Sequence, residues 1–476
     1  MTNVAAESHY QRGNALRSAG HLAEAEAALR EALRLMPAHR DAAYSLAFML
    51  REQGRIDAAA SAIAAWCTAA EPLLDDTLAA LGFLLECSDL ARAHALAQAA
   101  RARWPADARL AARAGEIALA LGEFDEAAVA LRSALERNPN LSASWLHLAH
   151  CRQHARVDDA DVQRFERAWA DNALDPLART CAGFALGKAY DDIGDYAQAA
   201  SVLREANARA GTGSPWNRMA WRNTIETQLA AAPLPALAAQ SDFVPIFIVG
   251  LPRAGTTLVA NALGGFAGVR DRGELNWIPA LHAHLREHKQ LYDVQALASI
   301  AALIRAQMRR DDAPARCYVD KNPLNFRYVD FIAALFPNAR IVHCRRGLRD
   351  TALSLWMQYF AGEEMGFSHD FADIAQVARD EATLMAHWRA RGIDALDIDY
   401  EMFVAEPDAQ RLRLAQFIDA DMQMSKSTAT SAPQSIRTAS VWQARQPLHL
   451  RSIERWRRYA PYAPELEALR VPTPRG

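Results

Sequence analysis

The pattern of apolar and polar positions differs between the two halves of the chain. Over about residues 6–212, apolar side chains recur at helical spacing, and alanine, leucine and glycine return at equivalent positions. Beyond residue 242, short apolar runs at 244–249, 339–344 and 395–398 alternate with amphipathic helical stretches. That alternation is typical of a parallel α/β sheet. The pattern therefore predicts an all-α first half followed by an α/β domain.

The helical half has an internal period. Pro37, Pro105 and Pro139 are 68 and 34 residues apart, and 34 residues is the period of the tetratricopeptide repeat, a helical hairpin that stacks into a solenoid. A small residue at the crossing point lets the two helices of a hairpin approach closely. The corresponding position recurs through about six units, at Gly13, Ala47, Leu81, Gly115, Ala149 and Gly187, and it is small in all of them except Leu81. The region resembles tetratricopeptide repeat proteins, and an alanine-rich helical bundle without a period is the alternative.

Glycine and proline mark the boundary between the halves. Gly213, Pro215, Pro233 and Pro235 flank a stretch with helical character. We therefore expect repeats over residues 6–212, a linker helix within 213–241, and an α/β domain over 242–476.

Composition narrows the classes of function. The chain has 476 residues, and 53 basic against 56 acidic side chains give a formal net charge of −3, so we expect no nucleic-acid partner. No stretch approaches the ~18–20 uncharged apolar residues of a membrane span, and the N-terminus does not resemble a signal peptide. Six scattered cysteines without a CxxC pair indicate reduced thiols and no zinc site. These features predict a cytoplasmic location.

The first apolar run leads into a glycine-containing turn and then a helix, in the sequence PIFIVGLPRAGTTL. Backbone amides at a helix N-terminus directly after a buried strand form an anion seat. The spacing of Gly250, Gly255, Thr256 and Thr257 is that of the P-loop, GxxxxGK[ST], except that Thr256 replaces its lysine. Arg253 is the cation of this turn. A kinase or NTPase is the alternative, which the missing lysine disfavours.

A second motif follows about ninety residues later, in FPNARIVHCRRGLRDTALSLW. A strand ends at Arg346, and Ser354 follows eight residues on in a helix for which Asp350 is the expected N-cap. A guanidinium with a hydroxyl suits a phosphate monoester. Together the two motifs resemble those of sulfotransferases that use 3′-phosphoadenosine 5′-phosphosulfate (PAPS), closest to the protein-tyrosine sulfotransferase branch.

This resemblance implies a set of donor-binding residues. The loop would hold the 5′-phosphosulfate, and Arg346 with Ser354 would hold the 3′-phosphate. The loop residues concerned are Arg253, Ala254, Gly255, Thr256 and Thr257. Tyr400, Ser440 and Arg455 match further cofactor contacts, although Arg455 replaces the lysine of the family and Tyr400 could equally be a core tyrosine.

The resemblance also implies catalytic residues. Glu274, in RGELNWIP, corresponds to the general base, and Lys321, in CYVDKNPLNF, to the second catalytic group, with Arg253 assisting. A surface or helix-capping carboxylate is the alternative for Glu274, and a solvated lysine at a strand end is the alternative for Lys321.

The sequence therefore predicts a PAPS-dependent sulfotransferase that releases 3′-phosphoadenosine 5′-phosphate (PAP) without a metal. The acceptor would be a hydroxyl of a protein tyrosine, a saccharide or a small phenol, and the repeats weakly favour a peptide or protein. In that hypothesis the repeats form an acceptor or partner platform. The alternative is a repeat scaffold with a catalytically inactive PAPS- or PAP-binding domain.

Overall fold

The computed structural model describes residues 2–213, 215–310, 315–419 and 452–469. The chain divides into two compact units. The first comprises residues 1–144 with 303–314, and the second comprises residues 145–302 with 315–476. Within the described residues, no helix has the length and apolar character needed to cross a bilayer.

The first unit contains four consecutive helix pairs. Their bounds are α1 (Thr2–Ser18), α2 (Leu22–Leu35), α3 (Arg40–Glu52), α4 (Ile56–Ala70), α5 (Leu74–Glu86), α6 (Leu90–Arg103), α7 (Ala108–Leu121) and α8 (Phe124–Arg137). A Cβ on Gly13 would lie 2.7 Å from Leu29 Cγ, and one on Gly115 would lie 2.6 Å from Leu131 Cγ. The glycines thus let a leucine of the second helix pack directly on the first. The predicted repeats are confirmed, and the two helices of these hairpins approach closely at the glycine positions that the sequence predicted.

The second unit begins with further repeat helices. They are α9 (Ser142–Ala149), α10 (Ala160–Ala170), α11 (Pro176–Ile193) and α12 (Tyr196–Gly213), followed by α13 (Arg218–Ala230). A Cβ on Gly187 of α11 would lie 2.6 Å from Leu203 Cγ of α12, as in the first and fourth hairpins. The compact units divide at residue 144, so the domain division at 212 and 242 stays a prediction from the sequence.

A five-stranded parallel sheet forms the centre of the second unit, in the order β2-β3-β1-β4-β5. The strands are β1 (Val244–Gly250), β2 (Val269–Asp271), β3 (Cys317–Asp320), β4 (Arg340–Arg345) and β5 (Ala395–Asp399). β1 is the central strand and is buried along its whole length. The predicted parallel α/β domain is confirmed, and the three predicted apolar runs correspond to β1, β4 and β5.

Helices connect and cover these strands. They are α14 (Thr256–Gly264), α15 (Trp277–Glu287), α16 (Val294–Arg309), α17 (Val329–Leu335), α18 (Leu348–Trp356), α19 (Phe371–Ala390), α20 (Tyr400–Ala405) and α21 (Pro407–Phe417), with 3₁₀ helices at Pro323–Tyr328 and Glu363–His369. Two short helices, Trp456–Tyr459 and Glu465–Ala468, follow near the end of the chain.

Each strand leads into a segment that contains a predicted site residue. Glu274 follows β2, Lys321 follows β3, the loop after β1 contains Arg253, Arg346 follows β4 and Tyr400 follows β5. Because all five strands are parallel, these segments meet at the carboxyl edge of the sheet, where ligands bind in open α/β folds.

Candidate functional site

The loop between β1 and α14 has a backbone that most side chains would not tolerate. Gly250 has φ 137° and Gly255 has φ 96°. A Cβ on Gly250 would lie 2.3 Å from the carbonyl oxygen of Cys344, and one on Gly255 would lie 2.7 Å from Cδ2 of Tyr400. Gly255 is the N-cap of α14, so the first amides of this helix lack intrahelical acceptors and suit an anion.

The loop and the β4 motif are joined by direct hydrogen bonds. Nε of Arg253 donates to Oγ of Ser354 over 2.9 Å. Nη1 of Arg346 donates to the carbonyl oxygen of Arg253 over 3.1 Å. The structure therefore brings together the two motifs that the sequence analysis assigned to the opposite phosphates of one nucleotide.

These arginines form a concentrated positive site. Burial, followed by the charges of Arg346 and Arg455, lowers the pKa of Arg253 to about 10. Burial also lowers the pKa of Arg346. Among the described residues, Nε of Arg346 is buried without a hydrogen-bond partner. A buried donor without an acceptor is costly in the absence of an anion, so the chemistry of this site suits a phosphate.

Tyr400 lies beside the same arginine. The guanidinium of Arg346 is 4.6 Å from the centre of the Tyr400 ring. Nη2 of Arg346 donates to the carbonyl oxygen of Ser452 over 2.7 Å, and the hydroxyls of Tyr400 and Ser452 are 2.6 Å apart. The sequence analysis did not identify Ser452, whereas its predicted contact Ser440 lies outside the described residues.

Glu274 and Lys321 form an ion pair on the neighbouring strands. Nζ of Lys321 donates to Oε1 of Glu274 over 2.5 Å, and the lysine side chain is 4% exposed against 45% for the glutamate. The backbone holds this pair, because the amide of Lys321 donates to the carbonyl oxygen of Gly273 over 2.8 Å. The charge of Glu274 also acts on Arg253 and favours its protonated form. The predicted base therefore lies within electrostatic range of the loop.

Asp320 supports both segments that hold this pair, and sequence analysis did not identify it. Its carboxylate accepts hydrogen bonds from the amides of Leu275 (3.2 Å) and Asn322 (3.0 Å) and from the side-chain amide of Asn325 (3.2 Å). Burial raises the pKa of Asp320 to about 7 despite these bonds.

Asp350 has a different role from the one expected. Gly347, not Asp350, is the N-cap of α18. The Asp350 carboxylate instead accepts hydrogen bonds from the amides of Glu454 (2.7 Å) and Trp456 (2.9 Å). The N-cap prediction was wrong because a partner distant in sequence provides the free amides.

The repeat helices of the second unit also contribute to the surroundings of the loop. Arg455 forms an ion pair with Asp191 of α11, while its charge acts on Arg253. His150, directly after α9, is within electrostatic range of Arg253 as well. Burial first, and then the charges of Lys188, His147 and Arg253, lower the pKa of His150 to about 3. Sequence analysis had no signal for these contacts, since they depend on how the last repeats pack on the sheet domain.

Two family models match this chain. Residues 245–424 match the sulfotransferase family, and residues 10–72 and 84–142 match the tetratricopeptide repeat. The chain carries tetratricopeptide repeats and a sulfotransferase-family domain. The recognition made from the sequence is therefore confirmed at the level of these two domains.

Individual relatives are distant. An uncharacterised protein of Aquifex aeolicus (strain VF5) is 26% identical over an alignment 532 residues long, and the alignment covers 97% of this chain and 69% of that protein. The protein-tyrosine sulfotransferase of Drosophila melanogaster is 25% identical over 235 residues, or 44% of this chain and 46% of that protein. The chain thus matches less than half of the Drosophila protein. A crystal structure of a sulfotransferase from Mycobacterium tuberculosis H37Rv has 17% identity and a TM-score of 0.27, covering 64% of this chain and 93% of that one.

Proposed function

We propose that the protein is a PAPS-dependent sulfotransferase that transfers a sulfuryl group to an acceptor hydroxyl. The observation that carries the proposal is the direct contact between Arg253 of the loop and Ser354 of α18. Because of this contact, one continuous site would bind both phosphate groups of the donor. The sulfotransferase-family match over residues 245–424 supports the same chemistry.

The donor fits the charges of this site. Loop amides at the start of α14 and the guanidinium of Arg253 would hold the 5′-phosphosulfate. Arg346, with its unpartnered buried Nε, and Ser354 would hold the 3′-phosphate. Tyr400 and Arg455 would complete the donor site. PAPS supplies the sulfuryl group, and its PAP moiety is the leaving group.

The remaining residues act on the acceptor and on developing charge. Glu274 would accept the proton of the acceptor hydroxyl as its oxygen attacks sulfur. Lys321, aided by Arg253, would stabilise negative charge on the oxygen that links sulfur to the departing PAP. The 2.5 Å contact between Lys321 and Glu274 holds both groups in position before the acceptor binds. Since positioning and charge stabilisation suffice for such a transfer, the mechanism assigns no role to a metal.

For the acceptor, a protein tyrosine is one candidate. Its support is the similarity to a protein-tyrosine sulfotransferase and the presence of tetratricopeptide repeats, whose grooves commonly bind peptides. The repeats would then form the platform that binds an acceptor or a partner protein.

Two measurements test the proposal. In thermal-shift titrations, PAP should stabilise the protein and ATP with magnesium should not. Labelled PAPS should then transfer sulfate to a member of a peptide, glycan or phenol pool. Stabilisation by ATP alone would favour a kinase or NTPase. PAP binding without transfer to any pool would favour the alternative of a repeat scaffold with an inactive PAP-binding domain.

A further inference from the structure

We propose that Asp191, in the last tetratricopeptide repeat, is a positioning residue for the donor site and acts through Arg455. The inference rests on the proposed function and extends it, because it gives the last repeat a part in donor binding. The first unit would then be left to acceptors or partner proteins.

The segment 452–469 is attached to the sulfotransferase side of the site. Asp350 accepts hydrogen bonds from the amides of Glu454 and Trp456. Nη2 of Arg346 donates to the carbonyl oxygen of Ser452 over 2.7 Å. Arg349 donates to the carbonyl oxygens of Glu467 (2.9 Å) and Leu469 (3.2 Å). Through these bonds the segment lies against the start of α18, next to Arg346.

The opposite side of the segment is attached to the last repeat. One carboxylate oxygen of Asp191 pairs with Nη2 of Arg455, and the other accepts a hydrogen bond from the hydroxyl of Tyr459 over 2.7 Å. The rings of Tyr459 and Tyr196 lie 5.3 Å apart. Arg204 pairs with Glu465 over 2.6 Å. Of these three contacts, the one made by Asp191 reaches a residue predicted to touch the donor, Arg455.

The ion pair between Asp191 and Arg455 is largely buried, so it can hold the arginine side chain in place. The side chains of Asp191 and Arg455 are 12% and 22% exposed. A guanidinium has five donors in a fixed plane, so one bond to Asp191 leaves others available for a phosphate. Without Asp191, the long arginine side chain must lose its rotamer freedom when the donor binds, which weakens binding. The charge of Asp191 and its hydrogen bond also favour the protonated form of Arg455, against the cost of burying that guanidinium.

The test is a double-mutant cycle read by calorimetric titration with PAP. Asp191→Asn should raise the dissociation constant about tenfold, which corresponds to about 1.4 kcal/mol. In an Arg455→Gln background the same substitution should have no further effect, because Asp191 acts through that guanidinium. Asp191→Glu should restore part of the affinity. In turnover assays, the KM for PAPS should rise and that for the acceptor should stay unchanged.

Two controls separate positioning from general destabilisation. Asp76→Asn makes the same chemical change at an aspartate that pairs with Arg40 over 2.7 Å in the first unit. Arg204→Ala removes the other ion pair between the last repeat and the segment. Neither should change PAP affinity. If the wild-type protein binds PAP and Asp191→Asn binds it equally or more tightly, the inference is overturned while the proposed function stands. An Asp191→Asn loss that persists in the Arg455→Gln background overturns it too. If the wild type itself fails to bind PAP, the proposed function fails.

Discussion

Nε of Arg253 donates a hydrogen bond to Oγ of Ser354 over 2.9 Å, between residues 101 positions apart in sequence. Arg253 has a positive φ of 73°, which is uncommon for a residue other than glycine. The same arginine accepts a bond from Arg346 through its carbonyl oxygen. A residue of the loop thus holds both members of the second motif.

Ser354→Ala should weaken PAP binding about 10- to 150-fold, because a hydrogen bond to a charged group contributes about 1.5–3 kcal/mol. The measurement is calorimetric titration with PAP. Thr351→Val is the matched control. Its hydroxyl lies on the same helix, is buried, and has no partner among the described residues. Equal losses of affinity in the two variants would contradict a specific role for Ser354.

Glu274→Gln should lower kcat about 10²–10⁴-fold and leave PAP affinity unchanged, because the amide keeps the shape of the side chain but does not accept a proton. Turnover is measured by transfer from labelled PAPS, and binding by titration. Glu287→Gln, at an exposed position of α15, should leave both values unchanged. Wild-type turnover in Glu274→Gln would show that another group is the base.

Asp320 should make stability depend on pH. Burial raises the pKa of this carboxyl from 3.8 to about 7. Since a carboxyl with a raised pKa binds its proton more tightly in the folded state, its contribution to stability falls as pH rises from about 4 to about 7. Asp320→Asn should therefore reduce the dependence of the thermal midpoint on pH in that range.

The same substitution should also lower turnover, because Asp320 supports the segments of Glu274 and Lys321. Asp408→Asn, at a side chain that is 97% exposed, is the control and should retain the wild-type pH profile. If the thermal midpoint of Asp320→Asn changes with pH as steeply as that of the wild type, another group causes the pH dependence.

The strands that could be predicted from the sequence are those with long apolar runs. β2 and β3 have three and four residues, too few for a periodic signal, so only the family resemblance indicated Glu274 and Lys321. The loop could be recognised from the sequence because its backbone requires glycine at Gly250 and Gly255, where φ is positive and a Cβ would clash.

Contacts made by tertiary packing were beyond sequence reasoning. Asp191 belongs to a repeat helix and carries no local sign that it pairs with Arg455. Asp350 was expected to cap its own helix, but it accepts amides from a segment about a hundred residues later. A carboxylate near a helix start has several possible donors, and the fold selects among them.

A buried histidine in β4 gives the last prediction. His343 is 5% exposed. Its Nδ1 lies 2.7 Å from Oδ1 of Asp397, and its Nε2 contacts Oε1 of Glu381. A neutral imidazole has one donor, so two carboxylate partners require the protonated ring. Burial alone lowers the pKa of His343, but the charges and hydrogen bonds of Glu381 and Asp397 raise it overall to about 9.

Because the folded protein binds this proton more tightly than the unfolded chain, the stabilisation is complete below pH 6.5, the ordinary pKa, and is lost as pH rises through about 9. The thermal midpoint should fall over that range. Glu381→Gln removes one of the two charges, so it should bring the pKa of His343 closer to its ordinary value and reduce the fall. His284→Gln, on the surface of α15, should keep the wild-type profile. If Glu381→Gln retains the full fall, another group titrates. If the wild type shows no fall, the imidazole is neutral, and one of its contacts with Glu381 and Asp397 lacks a hydrogen bond.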